Sequence, residues 1–186
     1  MNRGYHEIKE HGKREFPFNI YPCSIPVDFS HVALHWHEEM EIIAVKKGKG
    51  RITVDTVSYP VEEGDILAVF PGQLHAISCG NGERMEYENI IFRLSMLMGD
   101  NGDGCTVHFL KPLQEGQAKN PVLIQRNQPD HEVFGKVIQE LDRFSEIRGN
   151  GYQLAVKGQL FLFLYYAYGR GILFTEKKPG HAREKI

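Results

Sequence analysis

The chain has 186 residues, 41% hydrophobic and 25% charged, with 22 basic and 24 acidic side chains and a formal net charge of −2. This composition suits one globular domain with a sizeable core and excludes disordered and fibrous classes. The longest apolar run, residues 160–168, has nine residues, far short of the roughly 20 that span a bilayer.

Residues 1–15 are polar without a sustained period and read as an N-terminal arm. From 16 to 25 the text turns apolar, and Pro17, Pro22 and Pro26 confine it to edge-type extended structure. Between 32 and 94, short runs rich in Val, Ile, Phe and Tyr alternate with Gly, Pro and acidic pairs. They predict strands at 32–37, 41–46, 51–55, 57–61, 65–70, 76–79 and 85–94. Strands this short and close predict an antiparallel sandwich or barrel over 16–98.

A connecting segment follows over 99–128. Its opening, Gly-Asp-Asn-Gly-Asp-Gly, lacks the ligand spacing of a calcium loop and reads as a surface break. Residues 105–113 read as a short helical turn ended by Lys111-Pro112. Then the period becomes helical: Val133, Phe134, Val137, Ile138, Leu141 and Phe144 share one face. Asn127 is the expected cap, with Pro129 and Asp130 in the first turn. A second helix is predicted over 152–169, making a hairpin over 129–170. Its later half is apolar on all sides, which calls for burial against two partners, such as its own domain and another subunit, or for complete burial in one core. Residues 171–186 are polar and basic and read as a linker.

The charge is unevenly placed. Residues 1–16 hold four basic and three acidic side chains, and 175–186 hold four and two, which leaves 17–174 with fourteen against nineteen, a net of −5. A nucleic-acid-binding face carries the opposite sign, so this chain is not expected to contact DNA by itself. The N-terminus has charges where a signal peptide needs its apolar stretch. Cys23, Cys79 and Cys105 form no Cys-x-x-Cys pair, so neither a disulfide framework nor a Cys-rich zinc site is predicted. A reduced, cytoplasmic setting without membrane contact is the expectation.

The chemistry concentrates in His35-Trp36-His37-Glu38-Glu39-Met40-Glu41. Along a strand, residues of one parity share a face, which brings His35, His37 and Glu41 to one side. Two imidazoles and a carboxylate suit a divalent transition metal such as Zn, Ni, Fe or Mn. His75 follows the Pro71-Gly72 turn and can return over the same face. The same four residues, without metal, can hydrogen-bond the hydroxyls of a small ligand. Trp36, of opposite parity, is expected to pack on the other face. Glu38 and Glu39 read as solvated charge at a strand bend, and His31, His108 and His131 as surface or cap residues.

These residues resemble the cupin superfamily. Its first motif, His-x-His, a spaced Glu and a later Gly, is matched at every interval by His35, His37, Glu41 and Gly48. Gly64, Pro71, Gly72 and His75 fill the roles of the second. Pro71 and Gly72 are adjacent rather than separated by one residue, and no Asn follows His75. The stretch 35–77 resembles the sensor domain of AraC-type transcriptional regulators, as do Glu15-Phe16-Pro17-Phe18, the link 109–113 and the two helices.

The resemblance implies a mostly β fold: a cupin-type antiparallel double-stranded β-helix, or jelly-roll barrel, followed by a C-terminal α-helical hairpin. It also implies a small-molecule effector, such as a sugar or metabolite, bound in the barrel by His35, His37, Glu41 and His75. It implies a homodimer formed through the helices, with Leu154, Phe161, Leu164, Tyr165 and Tyr168 as interface candidates. DNA would be bound only by a C-terminal domain not contained in these residues, and no catalytic residue is assigned. The alternative is a stand-alone metal-dependent cupin enzyme of isomerase or dioxygenase type.

Overall fold

Runs of β-branched and aromatic residues form eight antiparallel strands among the residues described in the computed structural model, which are 5–9, 11–100 and 102–171. They are β1 (Phe18–Ile25), β2 (Val32–His35), β3 (Met40–Val54), β4 (Val57–Glu62), β5 (Ile66–Val69), β6 (His75–Ser78), β7 (Met85–Phe92) and β8 (Val122–Ile124). One sheet runs β1-β7-β3-β5-β8, while β2, β6 and β4 assemble around the second half of β3. The linker reading of 171–186 falls, beyond Gly171, outside the described residues.

β3 is the central strand of both sheets. The sequence predicted two strands broken at 47–50; the structure has one strand of 15 residues. Its first half pairs with β5 and β7, its second with β4 and β6. A register shift between Val45 and Lys47 and the positive φ of Gly48, 78°, turn the strand from one sheet into the other. A Cβ at Gly48 would collide with the backbone carbonyl of Arg84.

Residues 40–45 are buried on both faces. Met40, Ile42 and Ala44 point outward into the core shared with the helices, and Ile43 and Val45 point into the barrel beside Ile52, Val54, Leu67, Ile77 and Tyr87. By the same alternation Glu41 faces the barrel interior. β1 pairs only with β7, the edge position its prolines require.

Two parts of the connecting segment depart from expectation. Val122–Ile124 forms β8 and extends the sheet along β5, so the barrel takes a strand from beyond residue 98. Lys111-Pro112 does not end the preceding helical turn: a π-helical segment, Thr106–Leu110, runs into α1 (Lys111–Gln114). Pro112 sits at the start of α1, and the chain continues helical through it to Gln114. Asp103 caps the segment by accepting from the Thr106 N–H at 2.8 Å.

The hairpin consists of α2 (His131–Ile147) and α3 (Tyr152–Gly169). Phe134, Val137, Ile138 and Leu141 of α2 meet Val156, Leu160, Phe163, Leu164 and Ala167 of α3 against the outer face of the sheet. Asn127 does not cap α2; the helix starts four residues later, after Asp130. Asp130 instead accepts with both carboxylate oxygens from Nη1 of Arg170, at 2.8 and 2.6 Å, while Nη2 donates to Leu123 O and to Gln128 Oε1. Among the described residues, no helix is long and apolar enough to cross a membrane.

Replacing Gly48 by alanine should lower the unfolding free energy by about 2 kcal/mol or more, through the left-handed backbone and the collision with Arg84. Urea denaturation of the variant would measure it.

Candidate metal centre and ligand site

The four predicted side chains meet at one end of the barrel. His35 closes β2 and sits opposite His75, which opens β6. His37 lies in the link to β3, its carbonyl accepting from the Gly72 N–H at 2.9 Å, so the Pro-Gly turn positions it. Glu41, near the start of β3, is buried between Val69 and Ile91 of the neighbouring strands. One ligand atom from each of the four lies within 4.8 Å of the others.

The histidines are held from behind. Nδ1 of His35 bonds Ala33 O at 2.9 Å, that of His37 bonds Glu39 O at 3.1 Å, and that of His75 bonds Gln73 O at 3.0 Å. Carbonyls only accept, so each Nδ1 carries the hydrogen and each Nε2 of a neutral ring presents a lone pair. Nε2 of His37 and Nε2 of His75 both lie 3.0 Å from the same carboxylate oxygen of Glu41. A carboxylate also only accepts, so these contacts require protons on the rings or a cation among the four groups.

Electrostatics follow from this crowding. Burial alone would raise the Glu41 pKa, but His75 and His37 outweigh it and hold the carboxyl far below its usual range. For His37, burial works downward, and the hydrogen bond and charge of Glu41 turn the net shift upward. His35 is pushed down, first by burial and then by His75. Two imidazoliums sharing one carboxylate, with ring centroids 5.0 Å apart, would be costly in so dry a place. Three lone pairs and a carboxylate converging on one point fit a divalent cation with nitrogen and oxygen preference.

Residues outside the expected set complete the surroundings. Glu39 is 3% exposed and accepts from Arg93 Nε at 2.8 Å; it is not the solvated charge the sequence suggested. Its partner comes from 54 positions away, at the end of β7, which no local pattern reveals. The arm docks at the barrel mouth. Trp36 N donates to Tyr5 O and Glu7 N to Trp36 O, and the indole stacks on His6 at 4.1 Å, so Trp36 is a platform for the arm rather than packing for the opposite face. The Glu7 carboxylate lies 3.6 Å from His35 Nε2 and 3.9 Å from His11 Nε2. His11 is buried, with its ring 6.2 Å from that of His37. Neither Glu7 nor His11 carries a sequence signal, because the arm has no period. His31 and His108 are exposed, and His131 opens α2 with Nε2 bonded to Gly64 O at 2.7 Å. A cleft of about 440 Å³ lies beside the mouth, with Trp36, Gly72, Arg93 and Ser95 among its walls.

The interface candidates on α3 divide. Leu154 and Tyr165 are 77% and 71% exposed and Phe161 is 39% exposed, whereas Leu164 is 3% exposed and belongs to the chain's own core. The Tyr168 hydroxyl donates to Phe109 O at 2.6 Å. The apolar surface of α3 is thus partly the core of this chain and partly an outward stripe of Leu154, Phe161, Leu162 and Tyr165.

Barrel, four-residue cluster and hairpin together define a cupin-type domain with a C-terminal helical hairpin. A family model described as the AraC-like ligand binding domain matches residues 26–164. The chain belongs to that family. It is 27% identical over 88 residues to the uncharacterized HTH-type transcriptional regulator YdeC of Bacillus subtilis (strain 168), a match covering 47% of this chain and 30% of that protein. The chain therefore spans about a third of the curated relative it matches.

Among solved structures, it is similar to a Cupin 2 conserved barrel domain protein from Salinispora arenicola, with 22% identity and TM-score 0.39 over 43% of this chain and 66% of that one. It is also similar to an RmlC-like cupin from Methanocaldococcus jannaschii, with 19% identity and TM-score 0.38 over 46% and 72%. A further likeness is to the Bacillus subtilis oxalate decarboxylase described with Mn(II) centres, with 25% identity and TM-score 0.31 over 34% and 18%.

Glu41→Gln keeps the shape of the side chain and removes its charge. It should destabilise the protein by about 1–3 kcal/mol, since two buried rings lose a charged partner. Denaturant unfolding at neutral pH would show it.

Proposed function

We propose that this chain is the ligand-sensing and dimerisation part of an AraC-type transcriptional regulator, with His35, His37, Glu41 and His75 as its ligand-binding and metal-binding residues. The observation that carries this reading is the convergence of these four side chains at the barrel mouth of a chain in the AraC-like ligand-binding family. The barrel over 16–98 and the hairpin over 129–170 are its working parts, with 1–15 as an arm and 99–128 as the connection. DNA contact belongs to another domain, as the likeness to an HTH-type regulator and the acidic body both support.

A divalent metal, when bound, supplies Lewis acidity and open positions for an oxygen-bearing effector. The chain's own groups do the rest. The backbone carbonyls of Ala33, Glu39 and Gln73 orient the three rings, Glu41 offsets positive charge, and the arm excludes water from above. The family assignment supports binding rather than catalysis, and the effector is a small molecule taken up at the mouth. A cytoplasmic setting suits a regulator with free cysteines.

The exposed stripe of α3 supports the homodimer. Leu154, Gly158, Phe161 and Tyr165 follow one another at intervals of four, three and four, a single helical face. Among the described residues, nothing outside the helix's own adjacent backbone lies within 4 Å of where a Gly158 side chain would begin, which leaves room for a second copy to approach. Pairing two copies across this face hides the apolar stripe of each.

Elemental analysis of protein purified without an affinity tag should find about one divalent metal ion per chain, lost in His37→Ala and His75→Ala. Sub-stoichiometric metal of every kind in the unmodified protein would remove the metal from this reading. Sedimentation at micromolar concentration should show a dimer. Leu154→Glu and Tyr165→Glu should convert it to a monomer with unchanged helical circular dichroism, whereas a monomeric parent protein would overturn the dimer.

A further inference from the structure

We infer that a small cavity between the arm and the end of β7 binds the anionic group, phosphate or carboxylate, of the effector. The cavity measures about 140 Å³, and its walls are His11, Gly12, Lys13, Arg14, Pro17, Arg93 and Ser95. Lys13, Arg14 and Arg93 are basic, and among the described residues none that lines the cavity is acidic, although the chain as a whole carries a net charge of −2. Glu39 offsets the charge of Arg93, and Lys13 and Arg14 leave the wall net positive, which favours an anion.

The walls are built into the fold. Gly12 has φ of +81°, and a Cβ there would come 2.6 Å from both the N and the O of Phe18. Only glycine allows this bend, which carries Lys13 and Arg14 over the strand ends. Mutual hydrogen bonds between the backbones of Lys13 and Phe16, at 3.2 and 2.9 Å, close the loop. Arg93 N donates to Pro17 O at 3.0 Å, and Arg93 Nε holds Glu39, which fixes the third cation. His11 is 5% exposed; its Nδ1 meets Tyr21 Oη at 3.2 Å, and its Nε2 has no hydrogen-bond partner among the described residues.

The cavity also adjoins the larger cleft at the mouth. Arg93 and Ser95 line both, so an anionic group in the small cavity leaves the body of its molecule facing Trp36 and Gly72 in the 440 Å³ cleft. Guanidinium and ammonium groups along one wall suit the oxygens of phosphate or carboxylate. The assignment to an effector rests on the sensor reading; anion binding itself is independent of metal and of dimerisation.

Isothermal titration of the metal-free chain with inorganic phosphate, and separately with phenyl phosphate, tests this at constant ionic strength. Saturable binding of both is expected, tighter for phenyl phosphate because its ring enters the adjoining cleft. Affinity should fall at least about tenfold in Lys13→Ala/Arg14→Ala, with the urea midpoint unchanged because both side chains are exposed. Equal heats from chloride at matched ionic strength, or equal affinity in the parent and the double variant, would overturn the site. Equal affinity for the two probes would overturn its assignment to an effector and leave the free anion as the ligand.

Discussion

The burial of β3 on both faces organises the molecule. A strand with a single covered face tolerates polar residues every second position, but β3 has a packed barrel on one side and the hairpin on the other. Met40 to Val45 are therefore buried without interruption, and Glu41 is the one charge in that run. A carboxylate there persists only with compensation. The imidazoles of His37 and His75 supply it, and their own orientation is fixed by carbonyls of the chain. The hairpin, the barrel and the cluster thus share one strand whose register cannot slip without placing Glu41 in the outer core.

This arrangement separates rigidity from recognition. The barrel interior between the sheets is filled by Ile43, Val45, Ile52, Val54, Leu67, Ile77 and Tyr87. The polar groups gather at the mouth, where the His35 side chain keeps 20% exposure and the arm reaches over it. The cluster is therefore bordered by Trp36, the arm and Arg93, and is supported by a core that has little freedom to rearrange.

Much of the barrel was legible because its signals are local. Gly, Pro and acidic breaks marked most strand ends, and the spacing of His35, His37, Glu41 and His75 announced the cluster. The lost features are non-local. Lys47-Gly48-Lys49-Gly50 looks like a turn but is a bend inside one strand, because two different sets of partners claim its halves. Glu39 looked solvated because its partner, Arg93, is on another strand. β8 is too short to show a period, and Leu164 read as interface because a helix apolar on every side does not reveal which side its own sheet covers. The docking of the arm was invisible for a related reason: its contacts to Trp36 run mainly through backbone groups, which any sequence possesses.

Arg170 gives the end of the hairpin a mechanical character. Its guanidinium grips Asp130 before α2, Gln128, and the carbonyl of Leu123 in β8. A planar fork engaged on several acceptors resists rotation far more than a single ammonium contact would. The last turn of α3 is consequently clamped to the sheet edge rather than free to swivel. β8 pairs with β5, and β5 pairs with β3 where Val69 stands opposite Glu41. Displacing that edge requires the clamp to break or re-aim, so the last turn of α3 is geared to the barrel wall.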